Sequence, residues 1–378
     1  MVKYIKRRYD DLAHVMQDGR VLVIYGPRRV GKTTLVQRYL ESQKLRTLSV
    51  TGDDVVVRNL LSGQDRTAIL DWATDYDAVF IDEAQRVPNV GWALKILIDA
   101  RPQLKIIATG SSSFDLANKV GEPLTGRQVP LRLYPIAINE LRDQPTNVYE
   151  ITKTLPDYLV YGAYPEVLTA STDEQKTFIL RELVSSYLFK DILELERIKS
   201  SKLLSDLLVL IAFQVGSEVS LNELAGQLGI DVKTVARYLD LLEKSFILYN
   251  LRGFSRNLRN EVTSKSKYYF FDNGVRNVVI GNLNPLQLRN DVGALWENFM
   301  VIERLKTRSY GSVLGRDYFW RTWELKEIDL IEDRGGRLHA YEFKWSSNKK
   351  VAAPRAFIDA YPGSEFRLIT PADFTEIL

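Results

Sequence analysis

The chain contains no cysteine, which excludes a disulfide framework and a zinc–thiolate site. It has only two histidines: His14 lies outside every motif below, and His339 is expected on the solvent side of its strand. No apolar run approaches the roughly 18 residues a membrane span needs, and nothing reads as a signal peptide. A cytoplasmic protein without a membrane partner is expected. An excess of charge of one sign is also missing: the net charge is +3, so any basic patch for nucleic acid must be local. With 45% hydrophobic and 26% charged residues the composition is that of a globular protein. At 378 residues the chain is too long for one core, and two to four domains of about 100–200 residues are expected.

The most informative segment is Gly26-Pro27-Arg28-Arg29-Val30-Gly31-Lys32-Thr33, of the form G-x-x-x-x-G-K-T. It sits between a strand-like run, residues 21–25, and a helix-like run from Thr34. That context implies a nucleoside triphosphate site: the loop N–H groups and helix N-terminus cradle phosphates, Lys32 reaches the β/γ-phosphates, and Thr33 is placed to hold Mg²⁺. Gly26 through Thr34 are the candidate nucleotide contacts. Four further apolar runs, residues 46–50, 78–81, 104–108 and 129–133, predict βα units and a mostly parallel sheet.

Two of those runs end in chemically informative residues. Ala78-Val79-Phe80-Ile81 leads to Asp82-Glu83. Asp82 is expected to hold Mg²⁺ through water beside Thr33, and Glu83 to act as the base that activates the attacking water. The plainer reading is acids at a solvated helix start. The next strand ends in Thr109-Gly110-Ser111, where Ser111, with Thr109 second, is the candidate γ-phosphate sensor; hydroxyls there also cap helices. Arg127 could neutralise transition-state charge in cis or across a subunit interface, or could simply be a turn arginine. Arg8 and Tyr9 are candidates for reaching the base.

The segments Gly-Pro-Arg-Arg-Val-Gly-Lys-Thr-Thr, Phe-Ile-Asp-Glu-Ala-Gln, Thr-Gly-Ser-Ser and Leu-Thr-Gly-Arg leading to Leu-Tyr-Pro-Ile-Ala-Ile-Asn-Glu-Leu resemble AAA-type ATPases of archaea and bacteria. Those proteins carry a C-terminal domain of unassigned function. Tyr161-Gly162-Ala163-Tyr164-Pro165-Glu166 and Phe271-Asp272-Asn273-Gly274 resemble the same family, so the likeness covers most of the chain. It implies a P-loop NTPase sheet of order 5-1-4-3-2 and a preference for ATP.

Residues 141–205 read as a helical lid, following a P-loop ATPase core over 1–140. Residues 206–284 then read as a winged helix. Ser220 with Glu223 makes a capping box, Gly229 ends one helix, Asp231 starts the next, and Val235, Leu239 and Leu242 form the apolar face. If this module binds DNA, Lys233, Thr234, Arg237 and Tyr238 lie on the open face of the second helix. A basic wing with Arg252, Arg256, Arg259 and Lys265 would contact phosphate. Protein docking is the alternative use.

Residues 285–378 carry a second constellation. Gly335-Gly336 between two alternating runs predicts a hairpin. Pairing residue 334 with 337 would set Asp329 opposite Glu342, with Lys344 further along that face. Opposed like charges destabilise a sheet unless a cation lies between them, and oxygen ligands suit Mg²⁺ or Mn²⁺. This Asp…Glu-x-Lys set resembles the restriction-endonuclease-like core (PD-(D/E)xK), in which Glu297 would be the helical acid and Lys344 would orient water.

The expected fold class is therefore α/β: a P-loop sheet, a helical lid, a winged helix, and a C-terminal restriction-endonuclease-like domain. The expected function is Mg²⁺-dependent ATP hydrolysis coupled to a DNA-associated module. An ATP-gated metal-dependent nuclease and a nucleotide-dependent protein-assembly switch are the alternatives. An arginine acting in trans would require a homo-oligomer.

Overall fold

The computed structural model describes residues 4–111, 123–142, 148–188, 201–254, 265–322, 324–346 and 351–378. The first unit alternates β1 (Val21–Tyr25), α1 (Lys32–Gln43), β2 (Thr47–Thr51), α2 (Val55–Ser62), α3 (Arg66–Trp72), β3 (Ala78–Asp82), α4 (Val90–Ala100), β4 (Lys105–Gly110) and β5 (Gln128–Arg132). The sheet order is β2-β3-β4-β1-β5, every pair parallel. β1 is buried throughout because parallel strands covered on both faces need continuous apolar runs, as Val-Leu-Val-Ile-Tyr provides. β4 separates β1 from β3, so the phosphate loop and the acid pair both emerge at the carboxyl edge, where open α/β sheets place ligands.

Helices α5 (Ile138–Arg142), α6 (Val148–Tyr161), α7 (Pro165–Thr169) and α8 (Asp173–Glu182) follow, the last continuing into a π-helical turn, Leu183–Leu188. Then come α9 (Ser201–Phe213), β6 (Glu218–Val219), α10 (Leu221–Leu228), α11 (Val232–Lys244), β7 (Leu248–Gly253) and β8 (Ser266–Phe270). The caps act as their residue types dictate. Ser220 accepts from Glu223 N–H, Gly229 closes α10 in the left-handed conformation, and Asp231 accepts from Thr234 N–H at 2.9 Å. Val235, Leu239 and Leu242 are buried.

The last segment comprises α12 (Asn273–Val279), α13 (Val292–Tyr310), β9 (Arg316–Arg321), β10 (Glu327–Arg334), β11 (Arg337–Phe343), α14 (Arg355–Ala360) and β12 (Glu365–Ile369). Its strands do not form a sheet of their own. β9 pairs in parallel with β7 through Arg252↔Tyr318 and Gly253↔Phe319, giving one seven-stranded sheet of order β12-β11-β10-β9-β7-β8-β6. The boundary expected at residues 284/285 is thus crossed by hydrogen-bonded strands. Backbone N–H and C=O groups on the edge of β7 find partners in β9 rather than in water, and no pattern within either strand announces that pairing.

Helix α13 is buried on nearly every side, including Glu303, Arg304, Lys306 and Arg308. Buried charges need partners, and each has one: Glu303 with Lys306 at 2.8 Å, Arg304 with Glu332 at 2.8 Å, Arg308 with Asp317 at 2.5 Å. The helix also ties the two sheets together. Ile138 N–H donates to Glu303 at 2.7 Å, and Lys306 donates to the Ile136 carbonyl at 3.2 Å.

Candidate functional site

The phosphate loop is shaped by two glycines with different tasks. A Cβ on Gly26 would lie 1.9 Å from the Leu133 carbonyl oxygen, so only glycine lets the loop leave β1 past β5. Gly31, at φ +90°, turns the chain into α1. No side chain caps that helix start, so its first N–H groups stay available to an anion, and the helix dipole favours one there. Lys32 is buried, donating to the carbonyls of Gly26 at 2.8 Å and Pro27 at 2.7 Å.

Opposite the loop, Thr33 Oγ1 donates to Asp82 Oδ2 at 2.8 Å, and Thr109 donates to the other carboxylate oxygen. Thr33 and Asp82 thus present hard oxygens side by side, a donor set that fits Mg²⁺. Glu83 adopts a left-handed backbone, φ +50°, directly after β3. Its carboxylate accepts from Gln85 Nε2, which also lies 3.1 Å from the hydroxyl of buried Ser111. Gln85 therefore joins the expected base to the expected sensor. The motif pattern assigns this glutamine no task; its place two residues after the acid pair was the available signal.

A cavity of about 780 Å³ opens over the loop, lined by Arg28, Arg29, Val30, Lys32, Thr33, Thr34 and Glu83, with Tyr4, Ile5, Arg38 and Glu166 around its mouth. Arg29 pairs with Glu166 of α7 at 3.3 Å, so the Tyr-Pro-Glu segment sits on the phosphate loop. Arg8 and Tyr9 do not line the cavity: Arg8 N–H donates to Glu140, and the Tyr9 ring packs edge-on against Tyr310. Tyr4 and Ile5 stand in that position instead.

Arg127 is elsewhere. Its carbonyl accepts from Val21 N–H at 2.8 Å, at the amino end of β1, and its guanidinium pairs with Asp99 at 2.6 Å. β1 runs from there to the phosphate loop at its other end, about 13 Å away at strand rise. Action in cis at this loop is excluded by that separation.

On α11, Lys233 and Arg237 are exposed and Thr234 is half-buried, hydrogen-bonded to Asp231. Tyr238 departs from expectation. It is 2% exposed, because it falls beside Leu239 on the packed side of the helix rather than on the open face. Arg256 and Arg259 lie outside the described residues; Arg252 is exposed, and Lys265 pairs with Glu218 at 3.0 Å.

In the C-terminal part the hairpin register is Arg334↔Arg337 through Leu330↔Tyr341, which brings Asp329 beside Glu342. The register against β9 shifts between Ile328 and Ile331. That bulge lets both isoleucines reach one small core with Trp320 and Phe357, although strict alternation would part them. Asp329 accepts from Phe343 N–H at 2.8 Å, and Lys344 lies 2.6 Å from Glu342 and 4.0 Å from Asp329. The remaining oxygen of Glu342 is buried without a hydrogen-bond partner. Glu297 enters from α13, accepting from Tyr269 at 2.7 Å. Burial, then Asp329, pushes Glu297 up to about 8; burial also raises Asp329 and Glu342. His339 faces away from these acids, toward Glu365 at 3.0 Å. Among the described residues no three acidic or histidine side chains converge as a metal cage. No described helix is long and apolar enough to cross a membrane.

Comparison with known proteins matches three parts of the chain to family models. Residues 18–142 match the model of an AAA domain; residues 152–286 and 292–373 match two domains of unknown function, DUF8612 and DUF4143. The chain is similar to uncharacterized protein Rv2008c of Mycobacterium tuberculosis, 26% identical over 354 residues, covering 90% of this chain and 74% of that protein. It is similar also to uncharacterized protein MJ1544 of Methanocaldococcus jannaschii, 24% identical over 340 residues, covering 82% and 72%. Among solved structures, the Walker-type ATPase PABY2304 of Pyrococcus abyssi is 16% identical, with a TM-score of 0.49 over 73% of this chain and 96% of that one. Residues 18–142 thus match an AAA domain, and the same stretch carries the assembled phosphate loop and acid pair.

Proposed function

We propose that the protein binds and hydrolyses ATP with Mg²⁺, and that its nucleotide state is coupled to a DNA-associated module formed by the helix-turn-helix and the C-terminal segment. The observation that carries the reading is the Thr33–Asp82 contact across the phosphate loop, with Glu83 next in chain. Lys32 would exchange its loop carbonyls for phosphate oxygens and offset their charge. Thr33 and Asp82 would hold Mg²⁺, which supplies charge neutralisation on the phosphates. Glu83 would accept the proton of the attacking water, its orientation fixed by Gln85, with Ser111 beside it. Replacing Glu83 by Gln should give a protein that retains ATP without turnover; undiminished hydrolysis would sink the reading.

Coupling is supported by Arg7. It donates to the Val30 carbonyl in the loop at 2.6 Å and lies 3.3 Å from the hydroxyl of Tyr310 at the end of α13. The order α9–β6–α10–α11–β7–β8 supports the winged-helix reading, and Lys233 and Arg237 on its exposed face favour phosphate contact.

A second reading, metal-dependent cleavage of nucleic acid, is favoured by one observation: Asp329, Glu342 and Lys344 lie together on a shared strand pair, with Glu297 alongside. On this reading Asp329 and Glu342 would hold Mg²⁺ or Mn²⁺, and Lys344 would orient the water. Incubating the protein with duplex and single-stranded DNA and either ion tests it, with Asp329→Ala and Lys344→Ala as controls. An uncut substrate across those conditions retires it.

A further inference from the structure

The acid site draws a cation from the helix-turn-helix side of the shared sheet. Lys267, on β8, is 1% exposed. Its ammonium pairs with Glu297 at 3.4 Å and with Glu327, and sits 5.4 Å from the Phe319 ring centroid. Tyr269, two residues along the same strand face, holds the same oxygen of Glu297 at 2.7 Å. Behind it, a Cβ on Gly216 would lie 3.0 Å from that oxygen, so the carboxylate is boxed in. A buried ammonium is tolerated only where carboxylates meet it, and these two are turned toward Lys267.

Two acids are therefore committed and two are left. Asp329 and Glu342 face Lys344, and one oxygen of buried Glu342 has no partner. Glu297, Glu327, Asp329 and Glu342 oppose the ammoniums of Lys267 and Lys344, while Arg321 is shared between Glu327 and Glu218. Four carboxylates thus face two ammoniums and one shared guanidinium, and a divalent ion on Asp329 and Glu342 offsets the excess negative charge. Metal-assisted phosphodiester chemistry often uses a pair of ions about 3.5–4 Å apart.

We propose that Lys267 is a built-in substitute for the second ion, so that the site takes a single divalent cation on Asp329 and Glu342. This rests on the metal-site reading above. It also makes the acid site a composite, because the ammonium arrives from a strand that precedes the C-terminal segment.

The test is to count Mn²⁺ by electron paramagnetic resonance in nucleotide-free, full-length protein carrying Asp82→Asn to silence the phosphate-loop position. One ion per chain is expected, lost with Asp329→Asn. Lys267→Met should bind two ions, and Lys267→Arg, which keeps the charge, one. Two ions with Lys267 intact overturn the proposal, a result that does not depend on the Lys267 variants folding. One ion in both Lys267 variants overturns the role of Lys267 and leaves the metal reading standing. No ion in any variant overturns both. No ion with Lys267 intact but one in Lys267→Met rejects the Asp329–Glu342 site while upholding exclusion of an ion by Lys267.

Discussion

Gly162 and Asp272, 110 positions apart, are packed so closely that a Cβ on Gly162 would lie 2.0 Å from a carboxylate oxygen of Asp272. The same carboxylate accepts from Ala163 N–H at 2.7 Å and caps α12 through Val275 N–H at 3.1 Å. Gly274 approaches Tyr161 as tightly: a Cβ there would lie 2.1 Å from the Tyr161 carbonyl oxygen. Two segments that stand out separately in the sequence are one joint between the lid and the last segment. Gly162, at φ +74°, has no room for a side chain in either conformation or space. Gly162→Ala should cost about 1–3 kcal/mol or more, measured by denaturant unfolding.

Asp272 should also make stability depend on pH. Burial pushes its carboxyl up to about 6 from the ordinary 3.8. Below both values the group is protonated folded and unfolded, and it costs nothing. Between them the folded chain holds a proton that the unfolded chain has released, so stability falls as pH rises through this window. The loss is complete above about pH 6 and amounts to about 3 kcal/mol. Asp272→Asn should flatten that slope; an unchanged slope between pH 4 and 7 would locate the dependence in another group.

Gln85 should matter to turnover more than to binding. It holds Glu83 and touches Ser111 without lining the cavity, so Gln85→Ala removes orientation, not contact with the nucleotide. The expected result is a kcat lowered about tenfold or more with KM little changed, since a misplaced base loses part of its roughly 10²–10⁴-fold contribution. Steady-state ATP hydrolysis measures both. A raised KM with unchanged kcat would place Gln85 in binding instead.

Arg7 should be among the most costly single residues to remove. It is buried and meets Glu140 at 3.0 Å as well as the carbonyls of Val30 and Tyr134. Arg7→Met takes the guanidinium from the buried carboxylate of Glu140, leaving it only neutral N–H donors such as Arg8 and Ala137, and should cost about 3–5 kcal/mol in unfolding experiments. Tyr310→Phe is the milder probe. Losing its hydroxyl, which accepts from Tyr134 N–H at 3.1 Å, should cost about 1 kcal/mol.

On α11 the two kinds of position should separate cleanly in DNA-binding titrations at several salt concentrations. Lys233→Ala and Arg237→Ala should weaken binding and each lower the salt slope by about one. Tyr238→Phe should leave both unchanged, since its ring belongs to the packed side. Salt-insensitive or absent binding by the unsubstituted protein would favour protein docking for this module.

The phosphate-loop region was legible because its chemistry is local. Gly26 to Thr34 form the loop within one stretch of chain, and the strand ending at Asp82 announces itself by an apolar run terminated by charge. The hairpin at Gly335-Gly336 and the caps at Ser220, Gly229 and Asp231 were readable for the same reason: each is set by neighbours a few residues away. Tyr238 shows the limit. Helical periodicity places it near the boundary between faces, and only the packing of α11 decides which side it joins.

The order of residues alone thus determined the phosphate loop, the alternation of strands and helices, and the pairing that brings Asp329 to Glu342, because backbone geometry and side-chain period act over short separations. Tertiary structure alone decided that β7 would pair with β9, that Lys267 would reach Glu297 and Glu327, that Arg127 would stand at the far end of the sheet, and that Gly162 would meet Asp272. Those outcomes follow from long-range burial: strand edges, ammoniums and carboxylates removed from water must find partners wherever the fold supplies them, and sequence separation carries no record of which will be near.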